Sequence, residues 1–326
     1  MTLKLSFCII VKNESQNLIR CLNSVKDLVD EIIFIDTGSA DNSIDIARSF
    51  GAKIFNFTWI NDFSKAKNFA LEKASGDWIL FLDADEELSA SSSQQLRPLI
   101  ESGNADAYRL IVRNLQPMED LVPFIDTRIT RLFKKSPEHM YEGMIHEQIT
   151  PSITRNGGKC EDSEILVIHY GYLFKETQSG NSRAQRNLKL LQLALNEIPD
   201  DAYLLFQMGS TYKSLRQKEE ALHYFHQSLQ YSASLSAETL ELLYMKLAQI
   251  YLSNHDDEKT MHFAKQCLSI NPNNIPALYA HALTEYSVKK YQEAYNSFEK
   301  LLSLPVLSDE DRQYISQAME MIKESF

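Results

Sequence analysis

The period of apolar and polar positions changes several times along the chain, and each change marks an element. Leu5 to Val11 is an apolar run, the pattern of a strand buried on both faces. It is followed by Leu18, Cys21, Leu22 and Val25 at helical spacing. Glu31 to Ile35 predicts a second strand, closed by Asp36-Thr37-Gly38-Ser39, and a helix through Ile44, Ile46 and Ala47 that stops near Gly51. Lys53 to Phe57 predicts a third strand, and a helix follows from about Asp62 to Ala74. Gly76 then precedes Trp78-Ile79-Leu80-Phe81-Leu82, a fourth strand that runs into Asp83-Ala84-Asp85-Glu86-Glu87. This βαβαβαβ order predicts an α/β fold, a mostly parallel sheet with helices on both faces. Beyond residue 105 the alternation loosens, with further strands expected at Ala107 to Arg113, Arg128 to Lys134 and Glu164 to His169.

Near Ser182 the pattern becomes helical throughout, which divides the chain into an α/β domain over 1–180 and an all-α domain over 181–326. The second part repeats itself. Leu205, Met208, Gly209, Tyr212, Ala221, Phe225 and Ser228 return 39 residues later as Tyr244, Leu247, Ala248, Tyr251, Thr260, Ala264 and Cys267. A further shift of 34 gives Leu278, His281, Ala282, Glu285, Ala294, Phe298 and Leu301. Small residues where paired helices touch and aromatics in the gaps resemble the tetratricopeptide repeat. About five extra residues, within Ser232 to Glu238, precede the second unit; Asn187 to Pro199 and a last helix from Ser308 are expected to cap the array.

Composition narrows the function classes. The 326 residues are 44% hydrophobic and 24% charged, the balance of a soluble globular protein. A net charge of -11 without any Lys/Arg cluster argues against a nucleic-acid partner. No apolar run approaches the roughly 18 residues of a membrane span. Met1 to Val11 reads as a strand and not as a signal peptide, and the four cysteines lack CxxC spacing, so a cytoplasmic location with reduced thiols is expected.

The most telling chemistry lies at the end of the fourth strand. Asp83 and Asp85, two apart in extended chain, point to one side. Strand ends of open α/β sheets are where ligands gather. Two carboxylates there repel each other unless a positive group binds, and a divalent cation carrying phosphates meets that need. A polar loop or an acid-rich helix start is the plainer alternative. The ordered set Ile9-Ile10-Val11-Lys12-Asn13-Glu14, Ile35-Asp36-Thr37-Gly38-Ser39-Ala40-Asp41, Lys67-Asn68-Phe69-Ala70 and Leu82-Asp83-Ala84-Asp85-Glu86 resembles glycosyltransferase family 2, inverting enzymes of GT-A fold. The resemblance spans about residues 4 to 175, and the appended repeats suggest the branch of the sublancin-type peptide S-glycosyltransferases.

The resemblance implies a role for each motif. Asp36 would accept the imide N–H of uracil; otherwise it caps the next helix, a task open also to Ser39 and Asp41. Lys12 and Glu14 would line the base and ribose, or Glu14 merely favours a helix start. Lys67 would lie near base or diphosphate and Asn68 would support the nucleotide pocket, unless both sit on a solvated helix face. Trp59, Asp62 and Phe63 are assigned to packing. Asp83 would lie by the ribose, and Asp85 would bind Mn²⁺ or Mg²⁺, countering the charge on the departing nucleoside diphosphate. His169, ending a late strand in Ile168-His169-Tyr170-Gly171, would complete the metal site or else be a hydrogen-bonded histidine closing the strand. In Tyr141-Glu142-Gly143-Met144-Ile145-His146-Glu147, Glu147 is the candidate base and His146 its orienting partner, or Glu147 pairs with Arg128 or Arg131.

The expected activity is metal-dependent transfer from a nucleotide sugar, UDP-linked by preference, to a peptide or protein presented by the repeats, whose concave groove suits extended chain. A cell-surface glycan is the alternative acceptor. The repeats equally serve a homodimer. A non-catalytic adaptor with a decayed transferase domain is the rival of another class. Nucleotidyl transfer would need a Gly-rich, cationic loop after the first strand, which Val11-Lys12-Asn13-Glu14 is not.

Overall fold

The computed structural model describes residues 3–115, 124–171 and 178–304, with 312, 313, 315, 316, 319, 320 and 322. Most of the expected capping helix from Ser308 therefore lies outside the described residues, as does the segment 172–177. The described residues fall into two compact units, one built around a sheet and the other, from Gln178 onward, helical.

The sheet unit begins with β1 (Leu5–Val11), α1 (Ser15–Val25), β2 (Glu31–Asp36), α2 (Ser43–Ser49), β3 (Lys53–Asn56), α3 (Phe63–Lys73) and β4 (Trp78–Phe81). These match the alternation read from the sequence to within a residue or two at each end. Next come β5 (Glu86–Leu88) and α4 (Ala90–Glu101), a stretch to which the hydrophobic pattern assigned nothing. The unit closes with β6 (Ala107–Leu115), β7 (Phe124–Lys134), α5 (Thr150–Arg155) and β8 (Cys160–His169). The strands form one sheet in the order β3-β2-β1-β4-β7-β6-β8-β5. Pairings among β1 to β4 and between β6 and β8 are parallel; β7 runs antiparallel to both β4 and β6, and β5 antiparallel to β8.

Alternation along the strands sorts the core into two layers. Leu5, Phe7, Ile9, Trp78, Leu80 and Phe34 face α1 and α4, packing on Leu18, Leu22, Leu96 and Ile100. Cys8, Ile33, Ile35, Ile79 and Phe81 face the other way, onto Ala70 and Leu71 of α3 and Ile153 of α5. Helices on both faces make the apolar runs of β1, β2 and β4 necessary, because neither face meets water.

Strand order also imposes curvature. Only four residues separate β4 from β5, yet three strands lie between them in the sheet. Four steps of about 4.8 Å in a flat sheet would need about 19 Å. The link cannot reach so far, because it folds back in a turn with Glu86 N–H donating to Asp83 O at 3.0 Å. The sheet therefore curls, bringing the β8–β5 edge round to the end of β4.

The helical unit contains α6 (Gln178–Glu197) and three antiparallel pairs: α7 (Ala202–Ser214) with α8 (Lys218–Gln230), α9 (Ala237–Ser253) with α10 (Asp257–Ile270), and α11 (Ile275–Ser287) with α12 (Tyr291–Leu302). The repeat period holds down to backbone detail. Arg216, His255 and Lys289, spaced by 39 and then 34, each adopt a left-handed conformation at the turn inside a pair. The residues after them, Gln217, Asp256 and Lys290, donate N–H to the carbonyls of Tyr212, Tyr251 and Glu285, closing each first helix in the same way. The extra residues before the second pair form a short 3₁₀ turn (Ser232–Ser234) and lengthen α9 to 17 residues, against 13 in α7 and α11. Gly209 marks a close crossing: a Cβ there would meet the Phe225 ring at 2.6 Å.

Candidate active site

The sequence-predicted residues of the sheet unit gather around three loops. The first two, after β1 and β2, are bound to each other. Asn13 N–H donates to Ser39 Oγ (3.1 Å), and its side-chain Oδ1 accepts from Ala40 N–H (2.7 Å). Glu14 N–H donates to Ser43 Oγ and Ser15 N–H to Asp41, both at 3.0 Å. Asp41 also accepts from Ser43 N–H, so one carboxylate serves the starts of α1 and α2. Partial burial opposes its ionisation, but the hydrogen bonds from Ser43 and Ser15 prevail and bring its pKa down to about 2. Asp41 thus does the helix-start work that had been one reading of Asp36. Asp36 is 5% exposed and accepts N–H groups of its own turn, from Gly38 at 3.0 Å and Ser39 at 3.1 Å. Lys12 is exposed at the mouth of the two loops, and Glu14 accepts from the Asn17 amide at 2.9 Å inside the first turn of α1.

The third loop is the acidic turn. Asp83 and Asp85 were expected to point to one side, as in extended chain. β4 ends at Phe81 and a turn follows at Ala84 and Asp85, and the two carboxylates meet different partners. Asp83 keeps the phase of Ile79 and Phe81 and lies on the α3 face. There it receives Arg131 Nη2 at 2.7 Å, with Lys67 Nζ 3.9 Å away. Asp85 turns to β8, its Oδ2 lying 3.7 Å from His169 Nε2. Its carbonyl accepts Tyr170 N–H at 3.0 Å, fastening the end of β8 to the turn.

Two groups behind the turn were not anticipated in these roles. Arg131 on β7 is buried and also pairs with Glu86, itself 1% exposed. Glu86 accepts Asp83 N–H at 2.9 Å, which shapes the turn from inside. Burial and the neighbouring Asp83 charge push the Glu86 carboxyl up in spite of Arg131. Burial works against the Asp83 charge too, but Arg131 and Lys67 hold that carboxyl well below the usual range. A signal for Arg131 existed in the sequence, an arginine among Thr130, Leu132 and Phe133, but buried arginines are rare enough that strand alternation alone reads it as solvent-facing.

Lys67 and Glu147 also depart from one of their expected alternatives. Lys67 is not on a solvated face: it is 4% exposed, and its ammonium lies 4.8 Å from the Phe81 ring centre and 4.9 Å from that of Tyr141. Burial favours the neutral amine, but Glu147 and Asp83 push the pKa up and keep the charge. Glu147 Oε1 is 2.6 Å from Lys67 Nζ. The alternative pairing of Glu147 with Arg128 or Arg131 does not occur. Arg128 reaches Asp162 and Glu164, and Arg131 is taken by the acidic turn.

Three anchors hold the segment that carries Glu147. Asn68 clamps the Tyr141 backbone, its Oδ1 accepting the N–H at 2.8 Å and its Nδ2 donating to the carbonyl at 2.9 Å. Glu142 and Gln148 exchange a pair of backbone bonds at 2.9 Å, and Phe63 N–H at the start of α3 donates to Met144 O. Asn68 is thus a strut for the loop. Asp62 caps α3 by accepting Lys65 N–H, and Trp59 packs edge-on against Phe63, as assigned to packing. His146 takes a left-handed backbone at φ 53°, and burial brings its imidazole pKa down to about 4 despite Glu147 beside it, so it is neutral near pH 7.

Around the turn, then, Lys67 and Arg131 are set among Asp83, Glu86 and Glu147, while Asp85 faces His169, whose pKa burial would lower but Asp85, Glu86 and Asp83 raise. Among the described residues, no group of three or more His, Cys, Asp or Glu side chains could hold a metal by itself. Asp85 and His169 supply two donors that face each other. Gly171 lies close against them, since a Cβ there would come within 2.6 Å of His169 Nε2 and 2.8 Å of Asp85 Oδ2.

Residues 6–146 match the Glycosyl transferase family 2 profile. Residues 202–234 match the Tetratricopeptide repeat profile, and 231–301, which hold the second and third helix pairs, match that of Anaphase-promoting complex, cyclosome, subunit 3. The sheet unit is a glycosyltransferase family 2 domain of GT-A type, followed by tetratricopeptide repeats. A TPR repeat-containing protein of Synechococcus elongatus is 35% identical over 247 residues, 74% of this chain and 60% of that protein. The SPbeta prophage-derived glycosyltransferase SunS of Bacillus subtilis is 30% identical over 226 residues, 68% of this chain and 52% of SunS. An uncharacterized glycosyltransferase of Rickettsia felis is 38% identical over 139 residues, 40% of this chain and 48% of that protein. The chain thus spans between about half and 60% of the length of these curated relatives.

Proposed function

We propose that the protein is a metal-dependent inverting glycosyltransferase that moves a sugar from a nucleotide sugar, UDP-linked by preference, to a peptide or protein acceptor. The observation that carries this reading is the placement of Asp85, at the end of β4, facing His169 beside Gly171. Mn²⁺ or Mg²⁺ fits there: one carboxylate and one imidazole leave coordination positions for diphosphate oxygens, the usual arrangement for these ions on phosphate substrates. The ion, when bound, neutralises charge on the leaving nucleoside diphosphate.

The chain's own residues have separate tasks in this reading. Asp36, held by its own turn, presents a carboxylate edge to the base; Lys12 and Glu14 flank it at the same mouth. Asp83, oriented by Arg131, meets the ribose. Lys67 carries positive charge between donor and acceptor sides. Glu147 takes the acceptor proton as the anomeric carbon is attacked, with neutral His146 lining the acceptor side. The resemblance to the sublancin-type peptide S-glycosyltransferases favours a peptide acceptor over a glycan, and the repeats offer a surface for it.

A thermal-shift screen of UDP-, GDP- and dTDP-sugars with and without Mn²⁺ tests the reading. The expected result is a rise specific to one donor and enlarged by the ion. No shift with any donor favours the adaptor alternative. Asp85→Ala should lower Mn²⁺-stimulated turnover at least about a hundredfold while unfolding stays cooperative. Full activity of the parent chain in excess chelator overturns the metal assignment.

A further inference from the structure

We infer that Asn114, at the end of β6, is a positioning residue that fixes the tautomer of His169 and turns its Nε2 lone pair toward the cation site; this rests on the metal reading above. The orientation of the Asn114 amide is determined by its surroundings. Its Nδ2 lies 3.1 Å from Val112 O and 3.0 Å from Ile125 O, with Thr127 Oγ1 at 3.1 Å. Backbone carbonyls only accept, so the amide nitrogen must face them and Oδ1 must face the other way. Oδ1 lies 2.8 Å from His169 Nδ1. An amide oxygen cannot donate, so Nδ1 carries the hydrogen, and in the neutral ring Nε2 is left with a lone pair.

That nitrogen faces Asp85 Oδ2 at 3.7 Å, and Gly171 brings no Cβ against either atom. Asn114 and His169 are also register partners in the parallel β6–β8 ladder, so strand pairing brings the amide to the ring. An outer group that accepts from the distal ring N–H of a ligating histidine sets ring orientation and ligand strength, and losing it weakens metal binding by about 10- to 100-fold.

The test uses the full chain with histidine labelled in ¹⁵N. In the metal-free parent, under alkaline conditions where the ring is neutral, His169 should show the Nδ1–H tautomer. The Nε2–H tautomer overturns the inference, and this measurement needs no variant. In Asn114→Ala the population should move toward Nε2–H, donating to Asp85. Mn²⁺ is then titrated by EPR at constant UDP, with a protein-free baseline. Asn114→Ala should weaken binding about 10- to 100-fold, as a positioning role requires. If His169→Ala weakens binding and Asn114→Ala does not, the positioning role fails and the metal site stands. If His169→Ala binds as tightly as the parent, the metal site fails and the inference falls with it.

Discussion

In the helical unit, most side chains buried where helices cross are small or apolar, as Gly209 against Phe225 and Ala248 with Ala264, and Glu285, beside His281 and Ser297, is the single charged side chain buried there among the described residues. Behind the acidic turn of the sheet unit, by contrast, Lys67, Glu86 and Arg131 are each under a tenth exposed. Apolar contacts are tolerant and nearly additive, so a repeat array draws its stability from many similar pieces. A buried set of charges is held only while every member is matched, because removing one strands the others. Fold stability and ligand chemistry are therefore separable in one unit and entangled in the other.

Arg131→Met should break this contrast most sharply. It leaves Asp83 and Glu86 facing each other, and a loss of about 3–5 kcal/mol is expected in urea unfolding of the full chain. The loss should shrink in acid, because Glu86, already pushed up, takes a proton readily. Adding Glu86→Gln should recover about 1 kcal/mol or more, as groups in one network are not additive. A stable Arg131→Met chain would mean the charges are not mutually dependent.

Next in size is a pH effect at His146. Its pKa falls from 6.5 unfolded to about 4 folded, so its contribution is complete above 6.5 and is lost as the pH drops toward 4. The difference amounts to at most about 3 kcal/mol. Comparing urea midpoints of the parent and His146→Asn across that window isolates it, and asparagine also tolerates the left-handed backbone. Parallel curves for the two chains would refute the assignment.

Gly209→Ala should have the smallest effect. The new methyl presses on the Phe225 ring, at a cost of about 1–3 kcal/mol, while removing a helical glycine returns about 1 kcal/mol. Adding Phe225→Leu should relieve the crowding, which a melting curve of the double variant would show. If Gly209→Ala is stabilising on its own, the first helix pair is looser than its geometry implies.

How much could be read in advance follows the same division. β1 to β4 and the repeats were legible because period and burial agree: Leu5 to Val11 is apolar since both faces are covered, and the shifts of 39 and 34 recur even in the turns at Arg216, His255 and Lys289. The glycosyltransferase domain was legible through ordered motifs. β5 and α4 escaped because Ala90 to Ser93 is polar and small and the strand is three residues long. The facing of Asp83 and Asp85 escaped because it is set by a turn and by Arg131, 48 residues on from Asp83. Asn68 was singled out, but its partner Tyr141, 73 residues away, has no trace in a linear pattern. Local regularity is written along the chain; long-range charge matching is not.

The short link between Phe81 and Glu86 acts as a clasp as well as a place for acids. Because it joins strands four places apart in the sheet, its length sets how tightly that sheet is rolled. One residue more would let the β8–β5 edge swing outward and carry His169 and Tyr170 with it; one fewer would overdraw the roll. For the roll of the sheet alone, the number of residues in this loop therefore counts for more than their identity.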